Sequence, residues 1–229
     1  MSISFTVGPD RIRFAAKTDV GLKRANNEDN FLLPQEMAIG AVSDGMGGHA
    51  CGDVASRITV ETIDKFYRDT ARSRQPTFPL LLPPLEVERA RMSTAIQYAN
   101  TRIFDAAAAD PKKKSMGCTV DSIYFSQGRY YIGHVGDSRV YRVRQGRLQQ
   151  LTEDHSLLND WKRMKELAGS EVANFPHKNV VVRALGLTEQ IKVDVVIDEY
   201  QRDDLFLLCS DGLCDMIDDR LILELCLKY

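Results

Sequence analysis

The chain has 229 residues, 44% apolar and 27% charged, a globular balance that excludes fibrous repeats and disorder. Thirty Lys and Arg against 32 Asp and Glu leave a formal net charge of −2, so no global basic field draws the chain to nucleic acid or an anionic membrane. Five cysteines without a Cys-x-x-Cys pair argue against a disulfide framework or a zinc ribbon. No run approaches about 18 consecutive apolar residues, and the N-terminus lacks the basic and apolar regions of a leader; the expectation is a soluble, cytoplasmic protein.

In chain order, short runs rich in Val, Ile, Tyr and Phe read as strands: Met37 to Ser43, Thr119 to Ser126, Arg129 to Val135, Ser138 to Arg144, Val193 to Glu199 and Leu205 to Ser210. The tight breaks at Gln127-Gly128, Gly136-Asp137 and Gln145-Gly146 predict an antiparallel meander, since parallel crossovers need a dozen or more residues. A helix is expected from about Gly52 to Thr70. Others follow from the helical spacing of Met92, Ala95, Ile96, Ala99 and Ile103, and of Leu157, Trp161, Met164 and Ala168, both read as core faces. Residues 71–84 hold Pro76, Pro79, Pro83 and Pro84 and read as a loop. Asp218 is placed to cap a last helix running into Leu221, Leu223 and Leu225. One α+β domain over 1–229, with helices flanking antiparallel sheets, is the economical architecture.

The chemistry concentrates in carboxylates where strands stop. Asp44 follows Met-Ala-Ile-Gly-Ala-Val-Ser and precedes Gly45-Met46-Gly47-Gly48-His49; Asp211 follows Leu-Phe-Leu-Leu-Cys-Ser and precedes Gly212, with Asp215 beyond it. Asp137 lies between two strands, and Glu28 and Asp29 close a polar run. Asp-Gly after a strand is ordinary turn chemistry. A hairpin, however, needs no serine before the aspartate, and two buried strand ends projecting carboxylates together would repel without a cation. Hard oxygen ligands suit magnesium or manganese. Gly45-x-Gly47 also fits a loose dinucleotide fingerprint, but Asp44 would set a negative charge beside the pyrophosphate and the downstream acids lie inside a predicted helix. Asp121 is anomalous, since a strand there would normally be apolar, and suggests no function.

Six motifs occur in order: Arg24-Ala-Asn-Asn-Glu28-Asp29, Asp44-Gly-Met-Gly-Gly-His49-Ala-Cys-Gly52, Gly136-Asp137-Ser-Arg139-Val-Tyr141, Leu151-Thr-Glu-Asp154-His155-Ser156, Arg183-Ala-Leu-Gly186 and Cys209-Ser-Asp211-Gly-Leu-Cys-Asp215. From about Phe14 onward the set resembles the metal-dependent serine/threonine protein phosphatases of the PPM, type 2C class, in their bacterial form. The resemblance implies a sandwich of two antiparallel sheets flanked by helices, with a two-metal centre in the cleft at one end. Asp44 would bridge two divalent cations, manganese or magnesium. Glu28 and the Gly45 carbonyl would complete one site and Asp211 the other, while Asp137 with Asp211 matches positions of a third, weaker metal. Arg24 matches the residue that grips the substrate phosphate. His49 is a candidate for protonating the leaving oxygen, although the Gly-Met-Gly-Gly insertion shifts it and a turn hydrogen bond competes with that role.

The implied activity is hydrolysis of phosphoserine and phosphothreonine in proteins by a hydroxide that two metals about 3.5–4 Å apart activate, without a phospho-enzyme. The alternatives are a catalytically weak binding or sensing module and a small-phosphoester phosphatase. Asp154-His155 and Arg139 read as buried ties that hold loops, and Cys209 and Cys214 lack the Arg-lined phosphate loop of a cysteine phosphatase. The segment from about 156 to 180 corresponds to the family's variable flap. In the resembled family a later strand carries an Asp-Asn pair; this sequence ends at Tyr229, before it. The expectation is therefore a sandwich lacking its C-terminal strand and one metal carboxylate, with Asp215 the first candidate replacement and an exposed edge open to self-association.

Overall fold

The computed structural model describes residues 2–46, 51–72, 84–164 and 180–228. Alternation along the central strands decides the layers. In β7 (Val120–Ser126) and β8 (Arg129–Val135), Val120, Tyr124, Tyr131 and Val135 turn to one side, while Ile123, Phe125, Tyr130 and Ile132 turn to the other. Both sides are buried, so these strands lie in the middle of the molecule. They belong to a five-stranded antiparallel sheet in the order β11-β8-β7-β4-β3, with β3 (Asn30–Leu32), β4 (Ile39–Ser43) and β11 (Asp194–Glu199).

Two helices cover the outer side, α1 (Gly52–Arg72) and α2 (Pro84–Ala109). Met92, Ala95, Ile96, Ala99 and Ile103 of α2 are fully buried there, as the spacing predicted. Gly133 admits that close packing: a Cβ would stand 2.4 Å from Ile96 Cδ1. α1 continues to Arg72 and Pro84 opens α2 as its first residue, where a missing N–H costs nothing, so the predicted loop is shorter at both ends. Pro76, Pro79 and Pro83 lie outside the described residues.

The inner side meets a second layer: the sheet β10-β9-β12, from β9 (Arg139–Arg144), β10 (Arg147–Gln150) and β12 (Leu205–Cys209), and the hairpin of β1 (Ser2–Val7) and β2 (Asp10–Ala15). The hairpin was not expected, although Ile3, Phe5, Val7, Ile12 and Phe14 alternate about Gly8-Pro9. Beyond β12 come α4 (Asp211–Cys214) and α5 (Asp219–Lys228); Ile222 packs on Tyr141 and Cys209. Asp218 caps α5 as expected, its carboxylate accepting the Leu221 N–H at 2.8 Å. Leu221 and Leu225, however, remain about 40% exposed. The result is the expected α–β–β–α sandwich.

Two expectations change. The meander is interrupted: β7–β8 and β9–β10 are hairpins, but Gly136-Asp137-Ser138 carries the chain from one sheet to the other. Gly136 makes this possible with φ at +121°, and a Cβ there would lie 2.6 Å from the Thr119 side chain. The other change concerns α3 (Leu157–Met164), whose Trp161 is 39% exposed and not a core residue; among the described residues none of this helix joins the three apolar clusters. Ala168 and most of the expected flap lie outside the described residues.

Candidate metal centre

Four aspartates meet at one end of the sandwich: Asp29 before β3, Asp44 after β4, Asp137 in the crossing between sheets and Asp211 after β12. Asp44 is central. Burial first, then the charges of Asp29, Asp211 and Asp137, push its carboxyl up to about 9, and it is hydrogen-bonded to Asp211. Asp137 is pushed up to about 6 by burial and by Asp211, with Asp154 and Asp215 adding to the same effect. Asp29 is also raised by burial, partly offset by the Ser210 hydroxyl, which donates to its Oδ2 at 2.8 Å, and by Asp44.

The serines that precede the two Asp-Gly pairs have separate uses. Ser43 Oγ donates to the Thr119 carbonyl at 2.6 Å and pins the end of β4. Ser210 occupies the cap position of α4, yet its side chain makes no cap bond and reaches Asp29 instead. Neither turn is a hairpin. Gly45 and Met46 form a short strand, β5 (Gly45–Met46), paired with β6 (Gly117–Cys118). Gly45 has no room for a side chain, since a Cβ would sit 2.2 Å from the Gly52 carbonyl oxygen and 2.7 Å from that of Glu28. Its N–H donates to Glu28 O at 3.2 Å, and Glu28 Oε1 lies against Gly52, 2.8 Å from where a Cβ would be.

Of the residues singled out in the sequence, Asp44, Asp137 and Asp211 converge, Glu28 and Gly45 are neighbours beside them, and Asp215 faces Asp137 across a cavity of about 300 Å³. Asp154, Asn159 and Lys162 also line that cavity. Arg24 is exposed in the turn before β3, and among the described residues no hydrogen bond or ion pair joins it to the carboxylates. His49 lies outside the described residues. Asp29 was missed as a member of the cluster.

Among the described residues no three His, Cys, Asp or Glu side chains already stand at metal-ligand geometry. The donor set nevertheless fits hard divalent cations: it is all oxygen, anionic and crowded, and the fold opposes its ionisation.

The flanking polar residues are structural ties. Arg139 grips Asp154 through Nε and Nη2, at 3.0 and 2.7 Å. His155 holds Gly136 twice: its Nδ1 accepts the Gly136 N–H at 3.0 Å and its own N–H donates to the Gly136 carbonyl at 2.7 Å. Burial and the adjacent His134 push His155 down to about 4, so it is neutral. Asp121, unexplained in the sequence, pairs with His134, Nδ1 to Oδ1 at 2.8 Å. His134 Nε2 lies 3.0 Å from the Glu153 carbonyl, so each ring nitrogen has an oxygen partner, an arrangement that favours the charged ring when Asp121 is ionised. Burial opposes that charge, but Asp121 outweighs it and holds the His134 pKa above its ordinary value.

The sequence matches the family model described as Protein phosphatase 2C over residues 23–225. It is 36% identical over 206 residues to the serine/threonine phosphatase stp of Listeria innocua, an alignment covering 89% of this chain and 78% of the relative. The crystal structure of the Mycobacterium tuberculosis serine/threonine phosphatase PstP/Ppp superposes with a TM-score of 0.77 at 32% identity, covering 92% of this chain and 83% of that one. A structure of the PstP catalytic domain in complex with two manganese ions gives 0.74 at 31% identity, with 92% and 82% covered. Sequence and fold agree: the chain belongs to the protein phosphatase 2C family, in its bacterial PPM form.

Proposed function

We propose that this chain is a divalent-cation-dependent phosphatase acting on phosphoserine and phosphothreonine in proteins. The observation that carries the reading is the convergence of Asp29, Asp44, Asp137 and Asp211, with Asp44 pushed up to about 9. Such a cluster is costly unless cations neutralise it. The serine/threonine phosphatase names of the relatives and the two manganese ions in one of their structures support the same reading.

Asp44 would hold both cations, with Glu28 and the Gly45 carbonyl on one and Asp211 on the other; Asp137 with Asp211 would serve a third, weaker position, and Asp215 is the candidate to supply the further carboxylate of the Asp211 site. When bound, the cations supply positive charge against the phosphate and lower the pKa of water towards neutrality. The protein does the rest. Arg24, a planar fork of donors in an exposed turn, would bind the phosphate through two oxygens. Thr119 and His155 hold the turns that carry Asp44 and Asp137. Water would attack phosphorus in line as the phosphorus–oxygen bond to serine or threonine breaks, its proton ending on the released hydroxyl, with no phosphorylated side chain on the path.

Manganese-titrated hydrolysis of a phosphothreonine peptide, run beside p-nitrophenyl phosphate, tests the reading. Peptide turnover that requires manganese and falls below about a tenth of wild type in Asp44→Ala is expected, because one carboxylate serves two cations. Preference for the small ester would reassign the substrate class, and no turnover at any manganese concentration would favour a binding module.

A further inference from the structure

Asp44 and Asp137 reach the cluster from different strand ends, and one buried residue is bonded to Asp44 and packs on both neighbours of Asp137. Thr119 donates its N–H to the Asp44 carbonyl at 2.8 Å, and its Oγ1 accepts the Asp44 N–H at 3.0 Å. Its own carbonyl accepts the Ser43 hydroxyl at 2.6 Å. The same Oγ1 is hydrogen-bonded to the hydroxyl of Ser138, the residue after Asp137, at 2.7 Å. On the other side of Asp137, Gly136 lies so close that a Cβ would stand 2.6 Å from Thr119 Cβ and Cγ2. Thr119 is 1% exposed and Ser138 fully buried, so no bulk water can replace either bond.

We propose that Thr119 is a positioning residue, whose hydroxyl fixes the spacing between Asp44 and Asp137 and so sets the manganese affinity of the cluster. The inference rests on the cation-dependent reading above. The hydroxyl, not the volume, carries it. Valine has nearly the same shape but leaves the Asp44 N–H without an acceptor and the Ser138 hydroxyl without its partner. Two carboxylate-bearing turns then lose their common anchor, and groups that orient ligands in this way are worth about 10–100-fold in metal affinity. If Thr119 merely filled space, the order would invert: Thr119→Ser, which loses the methyl packed against Gly136, would be the damaging change and Thr119→Val the mild one.

The test is manganese binding to the full chain, followed by electron paramagnetic resonance of the free ion, for wild type, Thr119→Val, Thr119→Ser and Ser138→Ala. Thermal unfolding in EDTA checks that each variant is folded. Thr119→Val and Ser138→Ala should bind manganese about 10–100-fold more weakly, with kcat falling more than KM rises, and Thr119→Ser should bind within about threefold of wild type. Should Thr119→Val fail to fold, Ser138→Ala decides, because it leaves every bond between Thr119 and Asp44 in place. Wild-type affinity in Ser138→Ala and in any folded Thr119→Val, or a Thr119→Ser weaker than Thr119→Val, overturns the inference. Wild type that binds manganese but hydrolyses no phosphopeptide refutes the proposed activity alone, and the affinity comparison still decides this one. Wild type that binds no manganese overturns both.

Discussion

Asp44→Asn should make the metal-free protein more stable while removing its activity. Asp44 is the carboxyl whose ionisation the fold opposes most, with an ordinary value of 3.8 pushed up to about 9. At pH 7 it is ionised in the unfolded chain and must take up a proton on folding. At about 1.4 kcal/mol for each pH unit between 3.8 and 7, that uptake costs about 4 kcal/mol. Asparagine keeps the shape and needs no proton. The figure is a ceiling, because Asp29, Asp137 and Asp211 can adjust; recovering half of it would raise Tm by about 4–8 °C for a chain of this length. The sign follows from linkage. A raised carboxyl pKa means that the native state holds the proton more tightly, so metal-free wild type loses stability as pH climbs from about 4 to about 9, and Asp44→Asn flattens that slope. Thermal unfolding by circular dichroism in EDTA at pH 5, 7 and 9 reads both effects, and added manganese should restore more stability to wild type than to the variant. A variant that melts at or below wild type in EDTA at pH 7 would refute the reasoning.

The layers and the cluster differ in how far the sequence discloses them. Strands buried on both sides announce themselves, because Ile123 to Phe125 and Tyr130 to Ile132 are unbroken apolar or aromatic runs that occupy both faces. The paired Ser-Asp-Gly runs pointed to Asp44 and Asp211 because the serines had no place in a hairpin, and Ser43 and Ser210 do have other partners. The crossing at Gly136 was not legible: a two-residue break reads alike whether the next strand returns to the same sheet or leaves for another. Only the contact between Gly136 and Thr119, 17 positions apart, separates the cases. Asp29 stayed hidden because nothing in Glu28-Asp29 says which carboxylate turns inward. Asp121, by contrast, was within reach. Counting six residues out on each side of the Gln127-Gly128 turn sets it opposite His134, and a buried acid facing a histidine explains itself.

Arg24→Ala should raise KM for phosphopeptides more than it lowers kcat, since it removes phosphate binding in the ground state; an unchanged KM with a collapsed kcat would assign Arg24 a different role. Gly45→Ala should abolish turnover and lower Tm, because its Cβ would stand 2.2 Å from Gly52 O and backbone must move; a fully active variant would contradict the packing. At acidic pH, where the ring is charged, Asp121→Asn should destabilise the fold by up to about 3–5 kcal/mol, or about 6–20 °C in Tm, because it leaves a buried imidazolium without its counter-charge. The pH dependence separates this from simple loss of a hydrogen bond. In wild type the His134 pKa is raised, so its contribution is fully present below about 6.5 and is lost as pH rises through the folded value. In the variant, burial without Asp121 opposes the charged ring, a cost that fades once the ring is neutral. Melting of the two proteins compared from pH 5 to pH 9 should therefore show the gap narrowing as pH rises. A gap that stays constant or widens would mean that His134 is not held as a cation by Asp121.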